Sequence, residues 1–523
     1  MARSQEEYYT GAGEAPGYWL GRAAGQLGLA GEVSEEGLHR MLSGAHPHTA
    51  ERLGRPPRDN RVAAFDLTFR APKSVSLLYG LGGFEVAGQV RAAHERAIAE
   101  ALDYLERHAA LVSRGHARAR QEHADGLVAA AYQHRTSRAG DPLLHTHVLV
   151  ANLAQGADGR WTALYGQPLY WHAKTAGYLY QAVLRAELTR RLGVAWGPVR
   201  NGVADLRGVP RPVIEAFSQR RQQIGQRLAH LGHHSARSAQ AAALETRPTK
   251  RSGISQATLR ASWHRRAATL GVTRQTLAAL LGQESPRRPS KAEVQEAIAH
   301  LASPHGLTLH TSTFTRRHVL QGLCEALPAG ADITVADLER LADWFLEGEL
   351  VRPVTPEPGP GRNRPDGQRP LPASGGIAGE WRFTTEELLD TERAAVTAAA
   401  ARQGEGAGMV APWVIEQVVA AHTHTAAADP SAREGPALSD EQIAMVRALA
   451  TSPDGVQVVN AKAGSGKTTV LAAARQAWEG SGYRVVGAAL AHARHGSCTA
   501  APGSPPTPSP SSSTTSTTPP RPA

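Results

Sequence analysis

GLVAAAYQHRTSRAGDPLLHTHVLVANL, residues 126–153, holds two apolar runs divided by a polar turn. GLVAAAYQH (126–134) and LLHTHVLVANL (143–153) are rich in small and β-branched apolar residues, and RTSRAGDP between them carries turn chemistry, which predicts two adjacent strands. In an extended strand, residues two apart point to one face. His145 and His147 therefore share a face, with Leu144, Thr146, Val148 and Val150 on the other. An antiparallel pairing through the turn brings His134, at the end of the first run, toward both.

With 23 histidines in 523 residues a His-x-His tripeptide is unsurprising, and His46-Pro-His48 and His422-Thr-His424 provide two more. The first holds a proline in a polar stretch, and the second follows a helix and precedes AAADPSAREGP, so both read as solvated loop histidines. For His134, His145 and His147 two readings stay open from the residues alone. They are satisfied structural side chains, or three neutral imidazoles that leave open positions on a divalent cation for a substrate oxygen.

Working outward, AAFDLTF (63–69) predicts a further strand in which Asp66 is the one charge. A carboxylate there is costly unless paired. Asp66 is thus an edge or turn aspartate, or the partner that fixes the tautomer of a metal-bound histidine. VAGQVRAAHERAIAEALDYLERHAA (86–110) has helical periodicity, WTALY (161–165) reads as a strand, and residues 169–192 read as a helix. These elements predict one α/β domain. Residues 211–301 look helical and basic, and Arg220, Arg221, Arg227, Lys250 and Arg251 are candidate phosphate contacts, with solvated helix faces as the alternative.

The chain carries 57 Lys+Arg against 47 Asp+Glu, a formal net charge of +10, which is compatible with a polyanionic partner. Its two cysteines, Cys324 and Cys498, exclude a disulfide framework and a cysteine-rich zinc module. MARSQEEYYTGAGE at the start has neither a basic segment followed by an apolar core nor a small-residue cleavage site, and no stretch approaches a membrane span, so a cytoplasmic protein is expected.

Toward the other end, GVQVVNA (455–461) runs into AKAGSGKTT and LAAARQAWEG, giving the strand, Gly-rich loop and helix that phosphate binding requires. Backbone amides of Gly464, Ser465, Gly466, Lys467 and Thr468 would cradle phosphate oxygens, Lys467 would reach the β- and γ-phosphates of ATP, and Thr468 would ligate Mg²⁺. Ala461 stands where the motif's first glycine is usual. No Walker B acid or later helicase motif follows, so the segment reads as an incomplete P-loop (RecA-like) module with no helicase activity expected. The organisation predicted is residues 1–300, one domain; 301–352, a helical connector; 353–376, a Pro/Gly-rich linker; 377–494, the start of a P-loop domain; and 495–523, a low-complexity tail that cannot bury a core.

Taken together, FDLTFRAPKSVSLL (65–78), HRTSRAGDPLLHTHVLVAN (134–152), YYTGAGEAPGYWLGRAAGQLGLAGEV (8–33) and FSQRRQQI (217–224) resemble the MobF, or TrwC/TraI-type, conjugative relaxases, which are HUH-type single-strand DNA endonucleases. The resemblance covers about the first 300 residues and resumes at the P-loop. It implies an antiparallel-sheet relaxase domain flanked by helices, followed by a helical region and a superfamily 1 helicase segment. It maps the family's metal-binding histidines to His134, His145 and His147, with Mg²⁺ or Mn²⁺ as the ion, its histidine-orienting aspartate to Asp66, and a helicase's adenine-contacting glutamine to Gln442.

The same resemblance implies that a tyrosine attacks the scissile phosphodiester, and Tyr8 and Tyr9 are the candidates, with Tyr18 a weaker one beside Trp19. Relatives carry two tyrosine sites. The spacing to Trp19 and LGLAG (27–31) assigns Tyr8 and Tyr9 to the second, so the first, which usually initiates, is expected before Met1 and the chain is expected to be fragmentary at both ends. The implied partners are single-stranded DNA at a plasmid transfer origin and a type IV coupling protein or secretion machinery. The alternative is a DNA-binding remnant weakened by loss of the primary tyrosine.

Overall fold

The two runs around the histidines form the centre of a five-stranded antiparallel sheet in the computed structural model of the chain. The structure describes residues 16–54, 62–115, 120–231, 238, 242, 245–246, 256–354, 381–428, 438–462 and 464–487. The strands are β1 (Gly17–Leu20), β2 (Glu32–Val33), β3 (Ala64–Arg70), β4 (Ala129–Thr136) and β5 (Pro142–Ala151), in the spatial order β2-β1-β4-β5-β3. The expected strands at 63–69, 126–134 and 143–153 are therefore present with ends shifted by a few residues. WTALY contributes only Trp161–Thr162, paired outside this sheet with Ala154–Gln155.

Alternation along β5 gives the sheet two different faces. Val148 and Val150, with Ala129 and Ala131 of β4 and Phe69 of β3, share a core with helix residues Ile98, Leu102, Leu179 and Leu184. Those helices are α3 (Phe84–His108) and α4 (Gln167–Leu192), numbered after α1 (Glu35–Ser43) and α2 (Lys73–Leu81). Each fully buried Leu or Ile of this kind contributes about 1.5–3 kcal/mol. On the other face Ala130, Tyr132, Leu149 and Ala151 pack with Trp19 and with Leu38 and Leu42 of α1. The three histidines lie on this same face, toward the end of the β4–β5 pairing that adjoins the turn.

Two close approaches place β1. Glu106, at the end of α3, accepts hydrogen bonds from the amides of Arg22 at 2.7 Å and Leu127 at 2.8 Å, tying the exit of β1 to the entry of β4. Gly17 adjoins Tyr132 so tightly that a Cβ there would lie 2.4 Å from the tyrosine ring. Since Tyr18 pairs with Ala131 and Leu20 with Ala129, β1 begins at the His134 end of β4.

The turn between β4 and β5 is clasped by α5 (Gln256–Thr269). Trp263 Nε1 donates to the Gly140 carbonyl at 2.8 Å, and Arg266 places two nitrogens 3.0 Å from Asp141 Oδ1. The guanidinium also lies over the Phe217 ring, 4.1 Å from its centroid. Asp141 is buried, so these bonds offset the cost of desolvating its charge.

Three further helices, α6 (Lys291–Ala302), α7 (Arg316–Ala326) and α8 (Val335–Glu347), join the same core through Ile298, Leu301, Leu320, Leu323, Leu338 and Phe345. Buried Arg185 of α4 donates to the carbonyls of Gly202 and Cys324 at 2.7 and 2.9 Å. Glu339 of α8 accepts from Arg107 and His108 of α3 at 2.6 and 2.7 Å. The compact unit consequently runs as Met1–Leu389, past the boundary expected at 300, and residues 301–352 pack as part of it.

The second unit is Asp390–Ala523. Its core joins α9 (Pro412–Ala428), α10 (Asp440–Thr451) and α11 (Lys467–Gly480) through Val414, Ile415, Val446 and Val470. The helices on either side of the P-loop are present as expected, but GVQVVNA is not a strand. Among the described residues of this unit no partner strand offers its backbone, and a strand needs at least one neighbour with which to pair its amides and carbonyls. Val458 is accordingly exposed.

Candidate metal centre

His134 on β4 stands directly across from His145 on β5, and Tyr132 across from His147. Both histidine-bearing strands are extended here, so the three imidazoles converge on one face. Their ring centroids are 5.2, 5.2 and 5.3 Å apart, and one ligand nitrogen from each lies within 4.8 Å of the others. All three are buried.

The orientation of two rings is set by what holds their Nδ1 atoms. Nδ1 of His147 donates to Asp66, with both carboxylate oxygens at 2.9 Å. Thr68 stands opposite His147 on β3, its hydroxyl 3.2 Å from that Nδ1 and 3.4 Å from Asp66 Oδ1. Nδ1 of His145 donates to the Leu143 carbonyl at 3.0 Å. With the proton on Nδ1, each ring has Nε2 as its acceptor nitrogen. Burial pushes His145 down to about 4, against the hydrogen bond to Leu143 and aided by the charges of His147 and Arg70. The ring is thus neutral near pH 7, the state a metal ligand requires.

These observations fit a divalent metal. The donors are three imidazole nitrogens, close enough to share one ion and held by a carboxylate and a carbonyl in the manner of metal-binding histidines. Three protein ligands leave the remaining positions of an ion for a substrate oxygen.

The opposite face of β5 holds a residue that the sequence reading passed over. His94 of α3 bonds Thr146 Oγ1 and Tyr180 Oη, both at 2.8 Å, locking the strand between its two histidines onto α3 and α4. Its position in the helix of residues 86–110, four residues after buried Val90 and three before buried Ala97, was the signal available. Thr68 likewise shares the face of Asp66 by strand alternation.

The other candidates fall as follows. Tyr8, Tyr9, Lys250 and Arg251 lie outside the described residues. Tyr18 points into the core shared with α3 and α4, and burial, reinforced by Glu95, raises its hydroxyl above its ordinary range, so it does not meet the histidines. Arg220 is bonded to Thr246 Oγ1 at 3.0 Å, Arg227 pairs with Glu245 at 2.7 Å, and Arg221 is exposed. His46 accepts the amides of His48 and Thr49 at 3.1 Å in a turn. His422 is helical rather than in a loop and bonds Gln476 at 2.9 Å; helical backbone cannot set residues two apart on one ion.

In the second unit Gly464 and Gly466 have φ of 80° and 79°, the left-handed conformations with which a loop turns its amides inward. Lys467, the first residue of α11, folds back so that Nζ lies 2.7 and 2.6 Å from the carbonyls of Ala461 and Lys462. Ser465 bonds the Lys462 carbonyl at 2.8 Å, and Gln442 Nε2 donates to the Ser465 carbonyl at 3.2 Å. Thr468 follows in the first turn of the helix. The five loop residues and Gln442 are therefore gathered in one place.

Known proteins match both units. The TrwC relaxase family model matches residues 1–270, and an AAA domain model matches residues 437–500. The multifunctional conjugation protein TraI of Escherichia coli is 33% identical over 257 residues, which is 47% of this chain and 14% of TraI. A conjugal transfer protein TraA of Agrobacterium fabrum is 38% identical over 110 residues, 21% of this chain and 9% of that protein. Solved structures of the conjugative relaxase TrwC with oriT DNA, metal-free and metal-bound, are 32% and 33% identical, each covering 52% of this chain and 95% of theirs with a TM-score of 0.47. The chain thus spans 14% of the length of TraI.

Proposed function

The chain belongs to the TrwC relaxase family, and on that premise we propose that it is a conjugative relaxase, a metal-dependent strand transferase that nicks one strand of DNA at a plasmid transfer origin. The observation that carries this reading is the convergence of His134, His145 and His147 with Asp66 behind His147. A divalent ion, when bound by the three histidines, supplies the positive charge that polarises the scissile phosphate. Mn²⁺ suits imidazole donors better than Mg²⁺, which prefers oxygen ligands.

The chain's own part is to hold and orient. Asp66 and the Leu143 carbonyl fix two imidazoles, keeping their Nε2 atoms available. Tyr8 or Tyr9 supplies the nucleophile: its oxygen forms a bond to phosphorus while the bond from phosphorus to O3′ breaks. The phenolic proton is released, O3′ takes up a proton, and the products are a 5′-phosphotyrosine and a free 3′-hydroxyl. The reaction needs little beyond position and charge neutralisation. The entry to β1 supports this assignment, since Gly17 adjoins Tyr132, the neighbour of His147, and seven residues from Pro16 back to Tyr9 can span up to about 25 Å.

The P-loop is proposed to bind ATP with Mg²⁺ through Gln442, Gly464, Ser465, Gly466, Lys467 and Thr468, as part of an incomplete helicase module. A coupling protein or secretion channel is the proposed partner beyond DNA, with Arg220, Arg221 and Lys250 as secondary DNA contacts. The proposed location is the cytoplasm; among the described residues no helix is long and apolar enough to cross a membrane. The test is incubation of the chain with supercoiled transfer-origin plasmid. Nicked circles with protein at the 5′ end, formed with Mn²⁺ and not with EDTA, are expected; intact plasmid under both conditions would overturn the reading.

A further inference from the structure

Arg70 ends β3 directly opposite His145, and His145 in turn stands opposite His134. One row across the sheet therefore contains two histidines of the metal centre and a guanidinium. The row is pinned by backbone contacts. Gln181 Nε2 donates to the Arg70 carbonyl at 2.9 Å, and the Ala71 amide donates to the Leu144 carbonyl at 3.0 Å. Strand alternation puts Arg70 on the face of Asp66 and Thr68, the two residues that meet His147. Directly opposed side chains on one face have Cβ atoms about 4.5–5.5 Å apart.

The Arg70 side chain is exposed, and among the described residues no carboxylate bonds it. Asp66, the acid on the same face, is committed to His147. A cation beside a site that gathers a divalent ion is unfavourable unless an anion completes the arrangement. A guanidinium offers a planar fork that matches phosphate oxygens.

Resting on the relaxase reading, we propose that Arg70 is a phosphate-binding catalytic residue of this site, its guanidinium taking oxygens of the DNA phosphate presented to the three histidines. It would offset the negative charge that grows on those oxygens as the tyrosine oxygen bonds to phosphorus.

The test compares the full chain with its Arg70→Gln and Arg70→Lys variants. Three quantities are measured: Mn²⁺ affinity, affinity for a single-stranded transfer-origin oligonucleotide across a salt series, and the rate of covalent adduct formation. Arg70→Gln should retain or strengthen Mn²⁺ binding, since a positive neighbour is gone. Its salt slope should fall by about 0.7, the value of one single-strand phosphate contact. Its adduct rate should fall on the order of 100-fold, with partial recovery in Arg70→Lys. Unchanged DNA affinity, slope and rate beside an active wild type would overturn the proposal alone. Loss of Mn²⁺ binding in Arg70→Gln would overturn it too, by making the role structural. An inactive wild type would overturn the relaxase reading and this proposal with it.

Discussion

Asp66 sets both carboxylate oxygens 2.9 Å from Nδ1 of His147, across the pairing of β3 with β5. The carboxylate thereby fixes which nitrogen of His147 faces the other two histidines. Asp66→Asn keeps the shape and loses the charge. Metal affinity should fall by about 10–100-fold with little change in thermal stability. Isothermal titration with Mn²⁺ measures this, and an unchanged dissociation constant would mean that Asp66 does not tune the centre.

Gly17 and Tyr132 form a steric pair, with 2.4 Å between the ring and a Cβ added at Gly17. Gly17→Ala should cost about 1–3 kcal/mol through overpacking. In a Tyr132→Ala background most of that cost should disappear, giving a clear coupling term in a double-mutant cycle. Additive costs by urea denaturation would show that β1 does not depend on this contact.

Burial pushes His94 down to about 3, with the charge of His145 adding to it, and pushes His172 to about 3, aided by Arg317. Both fold as neutral rings, whereas an unfolded histidine titrates near 6.5. Between those values the unfolded chain binds more protons, so the stability present above about 6.5 is lost as pH falls toward 3. The melting temperature should drop from pH 7.5 to pH 5, and less steeply in His94→Asn. A flat profile over that range would contradict the buried-neutral assignment.

Glu339 joins α8 to α3 through Arg107 and His108, 232 and 231 residues away in sequence. Glu339→Gln should destabilise the first unit by about 1.5–3 kcal/mol, the worth of hydrogen bonds to charged groups. Because α6, α7 and α8 share the sheet's core, the loss should appear in one cooperative transition. A separate early transition for residues 291–347 would show that they fold apart from it.

The centre of the sheet was legible because β-period alternation and turn residues both mark residues 126–153, and strand geometry then groups His145, His147 and His134. Asp66 was legible as a lone charge in an apolar strand. β1 was not, since a four-residue strand, GYWL, is held by Glu106 and Tyr132 from distant elements. Nor was the docking of α6 to α8: amphipathic helices announce an apolar face without saying what covers it, and a connector and a core element have the same pattern. GVQVVNA has strand composition, yet a strand is a property of its neighbours, and the described part of the second unit supplies none. Arg70 passed as one more basic residue because its importance depends on the register that puts it opposite His145.

The central claim is that the three histidines support attack by Tyr8 or Tyr9 on a DNA phosphodiester. The direct measurement is the yield of covalent protein–DNA adduct on a denaturing gel, using a single-stranded transfer-origin oligonucleotide with Mn²⁺ or EDTA. The wild type, His134→Ala, and a chain with both Tyr8→Phe and Tyr9→Phe are compared. The account predicts an adduct from the wild type that requires Mn²⁺ and is absent from both variants. An adduct of equal yield from either variant, or none from the wild type with Mn²⁺, would contradict it.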